Sequence, residues 1–493
     1  MFTKVKNFLL VNSGVRQTVA KNAVWLGISN VGGRLLRAII IFYSARVLGA
    51  SEWGVFSYAV TLAAFLTVFV DLGLNHILVR EFSKAKDDGE RAKIVSTLFF
   101  IKIFLVLTGA LIILLIAPHV TKIEGVRSIL PMVALILTFD SLREFAFSLA
   151  RANEKMEREA TLFIFTNICI VVSGFVFLAI SPTVEFFTYS YALGVGLGFL
   201  ATFWNLRGYL VGVLSNFSKE IIKPLFLAAW PFAISGLLGG LMLNTDILII
   251  GWFRSAADVG FYSAAQRIIQ VLYIIPAVLA TSALPLFSRL ANTDNAKMRL
   301  AVQKILKVVL LMALPLVAGG VLTATPLIRL LFGGEYLPAV NSFQILVFTI
   351  VIDFSAVVLA NAIFSYNRQK NLIVYAGIGG VCNVIFDLIL IPPFGITGSA
   401  VATLLAQLIS NAYLWMTMKK INHFTVLPHL LRGFLSVVIM GLFVTIALYL
   451  KIQVMLVILI SAIIYSLMLL LLREPILMEL KYMVLGAKNQ VDL

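Results

Sequence analysis

Apolar runs of about twenty residues recur along this chain between short polar loops, and no other feature limits its fold so tightly. A helix of that length, rising about 1.5 Å per residue, crosses the hydrocarbon core of a bilayer. Within lipid every backbone N–H and C=O must find its partner inside the segment or in a closed barrel, and runs this long select helices. Fourteen spans are read at about 23–45, 53–74, 94–117, 128–149, 160–181, 186–206, 224–251, 259–283, 308–328, 338–364, 371–391, 396–418, 433–450 and 452–472. At 61% hydrophobic and 13% charged residues, the composition agrees with an all-α polytopic membrane protein.

Basic residues set the expected orientation. Of the 39 Lys and Arg, twenty-eight fall in the N-terminal leader and every second loop, six in the alternate loops and five inside spans. Both termini are therefore expected on the cytoplasmic side of the inner (cytoplasmic) membrane. This bias accounts for the net charge of +16, and no nucleic acid partner is expected. Residues 1–22 read as a cytoplasmic amphipathic leader lying on the membrane surface, not as a cleaved signal. Cys169 and Cys382 lie inside spans, and the four His are scattered near span ends, so neither a disulfide frame nor a metal site is expected. No loop is long enough for a soluble catalytic domain, and no phosphate-binding or dinucleotide motif occurs. The chain reads as no enzyme and as needing no cofactor. A membrane glycosyltransferase, polymerase or ligase would want an external loop with acidic or His groups. A scaffold would not explain buried charges sorted by helix.

Those buried charges are the main functional signal. Arg34 and Arg37 sit mid-span in the first apolar run, one helical turn apart and so on one face. An arginine at such depth costs about 2.5–3.5 kcal/mol on insertion scales, which directs both toward protein or a wet cavity where an anion suits them. Lys102, Arg143 and Arg267 are the other intramembrane cations, and Asp140, Glu144, Asp246, Asp353 and Asp387 the acids at comparable depth. Spans five, six, nine, twelve, thirteen and fourteen carry no charge in their cores. Arg143, beside Asp140 and Glu144, is expected to pair locally. Asp246, Asp353 and Asp387 are candidates for binding a coupling proton or sodium ion, or for neutralising the arginines. Pro231, Gly239 and Gly240 in span seven read either as a bend that opens a gate or as small residues for close helix packing.

An internal repeat organises the spans. Gly49-Ala-Ser-Glu52-Trp-Gly54-Val-Phe56-Ser57-Tyr-Ala59 after span one matches Ser255-Ala-Ala-Asp258-Val-Gly260-Phe-Tyr262-Ser263-Ala-Ala265 after span seven. The offset of six spans gives two lobes of the same orientation. The expected division is 1–22 leader, 23–215 first lobe, 216–425 second lobe, and 426–493 an appended helix pair with a cytoplasmic tail.

With this six-plus-six-plus-two plan, the basic leader, the Leu48-Gly49-Ala-Ser-Glu52-Trp-Gly54-Val-Phe-Ser-Tyr signature and Asp71-Leu-Gly73-Leu, the chain resembles the polysaccharide-type flippases of the multidrug/oligosaccharidyl-lipid/polysaccharide exporter superfamily. The resemblance covers essentially the whole chain. It implies two lobes about a central cationic cavity and alternating access. It also implies a polyprenyl-diphosphate-linked oligosaccharide as substrate, with polysaccharide polymerase and chain-length proteins as partners. The protein is expected to be a monomer in membrane lipid. Arg34, Arg37, Lys102, Arg143 and Arg267 would supply the positive charge. The alternatives are a lipid II flippase for peptidoglycan and a drug/cation antiporter of the same superfamily.

Overall fold

The computed structural model describes residues 15–210, 213–426 and 430–475. The expected leader up to residue 14 and the expected tail after residue 475 lie outside the described residues. Within them the chain is helical throughout, and no strand occurs. The chain folds as two compact units, Met1–Ala264 and Ala265–Leu493.

The first unit begins with α1 (Val15–Asp71), which contains predicted spans one and two. Gly49 breaks its helical geometry with φ 75 and ψ 172, a left-handed φ that glycine adopts at little steric cost. Leu72 (φ 43) and Gly73 (φ 78) turn the chain into α2 (Leu74–Lys84). Then follow α3 (Asp88–Leu111), extended through a π turn at Ile112–Ile116, α4 (Val126–Ala152), α5 (Met156–Ile180), α6 (Val184–Leu206) and α7 (Ile222–Phe253). α1 packs along α4, α5 and α7, and α5 along α6. Small residues permit these approaches: a Cβ on Gly194 of α6 would strike the Ile170 backbone of α5, and one on Gly198 would strike Thr166. Such close contact is what drives helix association when lipid removes the hydrophobic incentive. Around Trp53, the rings of Phe56, Phe187 and Tyr191 form a buried aromatic core.

The repeat copies meet inside this first unit. Gly54 on α1 packs on the backbone of Ala256, and Gly260 packs on the backbone of Ala50. Ala50 and Ala256 are equivalent repeat positions, as are Gly54 and Gly260. The contact is therefore reciprocal, like the self-complementary face of a two-fold dimer.

The second unit holds the C-terminal half of α8 (Ala256–Leu272), then α9 (Ile274–Leu290), α10 (Asn295–Phe332), α11 (Ala339–Leu346), α12 (Thr349–Ser365) and α13 (Gln369–Ile421). Gly395 (φ 59, ψ −139) divides α13. The last pair, α14 (Leu431–Tyr449) and α15 (Val454–Leu471), packs on α10. There the Tyr465 hydroxyl donates to the Leu311 carbonyl at 2.6 Å.

Eleven helices of the described residues are long and apolar enough to cross a membrane, against fourteen spans expected. The difference has physical sources. α1 and α13 each hold two helices that adjoin across a kink at a left-handed glycine, so each counts once, and α4, at predicted span four, carries Asp140, Arg143 and Glu144 in its middle.

Candidate functional site

Arg34 and Arg37 lie on α1. Arg37 is half-buried, and its Nε donates to Oδ1 of Asn167 on α5 at 2.9 Å. Its guanidinium carbon stands 6.0 Å from the ring centre of Tyr191 on α6, the outer reach of a cation–π contact. The Asn167 Nδ2 donates to the Phe163 carbonyl at 2.8 Å, which holds the amide oxygen toward the arginine. Gly33 makes the approach possible, since a Cβ there would collide with the Phe163 ring and the Asn167 amide. An amide oxygen and an aromatic face orient a guanidinium without cancelling its charge. Arg34 is exposed and makes no hydrogen bond or ion pair among the described residues. The first helix thus presents two cations, and neither is held by a carboxylate.

The other two predicted cations of the first unit are each held by a carboxylate. Lys102 on α3 is buried, with Nζ 3.0 Å from Oδ1 of Asp71 at the end of α1. Arg143 is buried too and pairs with Asp140 one turn earlier at 2.6 Å, its guanidinium 5.5 Å from the Phe147 ring. Local pairing, expected for Arg143, is what its surroundings show. Glu144 instead turns to Arg151 at 3.6 Å, and Arg151 grips Glu159 of α5 through Nε at 2.9 and 3.0 Å. Arg267 belongs to the second unit, where its Nη1 donates to Gln270 at 3.0 Å.

The candidate ion-coupling carboxylates sit in neutral polar nests. Asp246 on α7 is buried and accepts from the Tyr262 hydroxyl of α8 at 2.6 Å. Asp387 on α13 accepts from Asn383 Nδ2 at 3.0 Å and from Ser399 Oγ at 2.9 Å. Asp353 on α12 has Tyr273 and Gln407 beside it, and Tyr273 bonds Thr349 at 2.9 Å. Oδ2 of Asp353 and Oε1 of Gln407 are buried without a partner. Two such acceptors call for a proton or a cation, because acceptors alone cannot satisfy one another.

α7 runs unbroken through Pro231, Gly239 and Gly240. Gly240 packs against Val68 of α1, whereas Gly239 faces open space. Close packing is thus visible at one of the two glycines. Phe56 and Tyr58 are buried in the core.

Charge scanning passed over the uncharged partners. Asn167, Tyr262, Asn383, Ser399 and Gln407 are the residues that orient the charged groups, and each is a polar side chain inside an apolar span. The Asn383–Asp387 spacing of four was a readable signal, since i and i+4 share a helix face.

A multi-pass helical membrane chain whose charges are sequestered among packed helices has the plan of a membrane transport protein. The chain belongs to the family described as "Polysaccharide biosynthesis protein", whose model matches residues 19–291. A second model, MatE, matches residues 231–389. The chain is 24% identical over 398 residues to the probable low-salt glycan biosynthesis flippase Agl15 of Haloferax volcanii, covering 79% of this chain and 81% of that protein. It is 25% identical over 342 residues to a putative O-antigen transporter of Shigella flexneri, covering 67% and 80%. Among solved structures, the lipid II flippase MurJ in an inward closed conformation shares the fold, with a TM-score of 0.74 and 17% identity over 90% of this chain and 97% of that one. An inward-facing multidrug resistance MATE family transporter follows at a TM-score of 0.60 and 14% identity, over 85% and 98%. The resemblance to the polysaccharide-type flippases read from the sequence therefore holds.

Proposed function

We propose that this protein moves a polyprenyl-diphosphate-linked oligosaccharide from the cytoplasmic to the outer leaflet by alternating access, through fourteen spans arranged as two lobes and an appended pair. The observation that carries the reading is the pair of arginines on α1, neither held by a carboxylate, with Arg37 oriented by Asn167 and Tyr191. The barrier to unaided flipping is desolvation of the anionic head, while the polyprenyl tail is at home in lipid. A planar guanidinium donating paired hydrogen bonds suits a diphosphate. Names given to relatives, a glycan biosynthesis flippase and an O-antigen transporter, support a glycan-bearing lipid.

In this scheme Lys102, Arg143 and Arg267 contribute background positive potential. Asp246, Asp353 and Asp387 take the coupling proton or sodium ion, and Asp353, with its unpartnered oxygen, is the first of the three to test. Pro231, Gly239 and Gly240 act as the flexible segment of span seven. The protein works in the inner membrane with both termini cytoplasmic, as a monomer alongside polymerase and chain-length proteins.

The test is complementation in the native host after deletion of the gene. Arg34→Ala with Arg37→Ala should abolish surface polysaccharide at normal protein level, and exchange of both to Lys should restore it only in part. Full activity of the double Ala variant would refute the reading. Rescue of a strain depleted of its peptidoglycan flippase would move the substrate to lipid II.

A further inference from the structure

A cavity of about 280 Å³ lies in the first unit, where α1 turns into α2 and where α3, α4 and α7 converge. Its polar lining comprises Asp71, Asn75, His76, Lys102, Ser141 and Glu144. Phe232 adds an aromatic wall, its ring stacked on His76 at 5.3 Å and 9°. Two of the lining groups are incomplete. Ser141 is fully buried, and its hydroxyl has no hydrogen-bond partner; Oδ1 of Asn75 is buried and equally unpartnered. A buried polar atom left unpaired costs stability and calls for a missing partner.

The chemistry of the lining selects that partner. An anion is disfavoured, because Asp71 and Glu144 both face the space. A metal cation is disfavoured, because the Lys102 ammonium already stands 3.0 Å from Asp71. An acyl chain would strand six polar groups. A neutral polyhydroxylated ring meets every requirement. Its hydroxyls donate to the carboxylates and to Asn75 Oδ1, accept from Lys102, and pair with Ser141, which does both. The volume equals about nine waters at roughly 30 Å³ each, the room of one pyranose rather than a chain of them.

We infer that this cavity is a monosaccharide subsite that holds a neutral sugar ring of the transported glycan. The inference rests on the flippase reading but occupies residues distinct from Arg34 and Arg37.

Saturation-transfer NMR on the full chain, in a detergent without a sugar headgroup, tests it with glucose, galactose, N-acetylglucosamine and rhamnose as probes. At least one sugar should take up saturation. Ser141→Val and Asn75→Leu should each weaken that signal by about fivefold or more, the loss of one hydrogen bond, with the melting temperature unchanged or raised. Signal in none of the four sugars, or signal undiminished in both variants, overturns the subsite. The Arg34→Ala, Arg37→Ala double variant separates the two claims. It should keep the sugar signal while losing transport. If sugars fail to bind but this double variant still abolishes transport, the subsite alone falls. If it transports normally, the flippase scheme falls.

Discussion

The charge of Arg37 goes uncancelled because of the identity of one neighbour. Asn167 offers it an amide oxygen at 2.9 Å where a carboxylate of nearly the same shape would fit. Asn167→Asp should therefore build an internal ion pair in the existing geometry. Transport should fall at least tenfold while the protein still reaches the membrane, measured as surface polysaccharide per unit of expressed protein. Unchanged transport would mean that the Arg37 charge is not used. Lys102 poses the opposite case, a buried cation already matched by Asp71 at 3.0 Å. Removing one member of a buried pair commonly costs about 3–5 kcal/mol, whereas removing both is close to neutral. Lys102→Met should lower the melting temperature in detergent, and adding Asp71→Asn should recover most of the loss. A double variant as unstable as the single one would show that the two groups are not coupled. The sequence disclosed the charged members of these pairs, because charge inside an apolar run stands out. It did not disclose which would be paired, because Asp71 and Lys102 are separated along the chain and meet only through helix packing.

At the scale of helices, the repeat signature explains more than ancestry. Gly54 and Gly260 each lie against the other copy's backbone, at Ala256 and Ala50. Under alternating access this contact must form in one state and part in the other. Gly54→Val or Gly260→Val adds a side chain where backbone stands, so each should bar the closed contact and cut transport with little loss of expression. Transport per unit of expressed protein is the readout, and wild-type transport in both variants would show that the contact is not used. The spacing of the repeat was legible, but the reciprocal packing was not, because glycine spacing does not name its partner. Two further glycines, Gly49 and Gly395, mark places where the chain kinks between helices without a loop. Residues 23–45 and 53–74 were separable as apolar runs, and the Gly49 kink falls between them.

For the molecule as a whole, the proposed cargo makes the membrane potential a direct actor. Each negative charge carried outward across a cytoplasm-negative membrane gains about 2.3 kcal/mol per 100 mV. Collapsing the potential with an ionophore should slow outward movement of a diphosphate lipid, and imposing it inside-negative on vesicles should speed it. The neutral nests around Asp246, Asp353 and Asp387 predict a separate dependence on sodium or pH. Asp353→Asn should abolish that dependence in the same vesicles, whereas a coupling response unchanged by it would place the ion elsewhere. Composition and run length were enough to read a helical membrane chain, and motif spacing was enough to read its family. The surroundings of Asp353 were not legible, because Tyr273, between α8 and α9, and Gln407, on α13, come to it from distant parts of the sequence.

The most direct test is translocation in proteoliposomes by the purified full chain. The probe is a polyprenyl-diphosphate oligosaccharide with a labelled sugar, and exposure of the label to an added membrane-impermeant lectin or glycosidase is followed in time. The account predicts protein-dependent movement that is lost in the Arg34→Ala, Arg37→Ala variant and partly retained when both become Lys. Movement at the wild-type rate in the double Ala variant would contradict it.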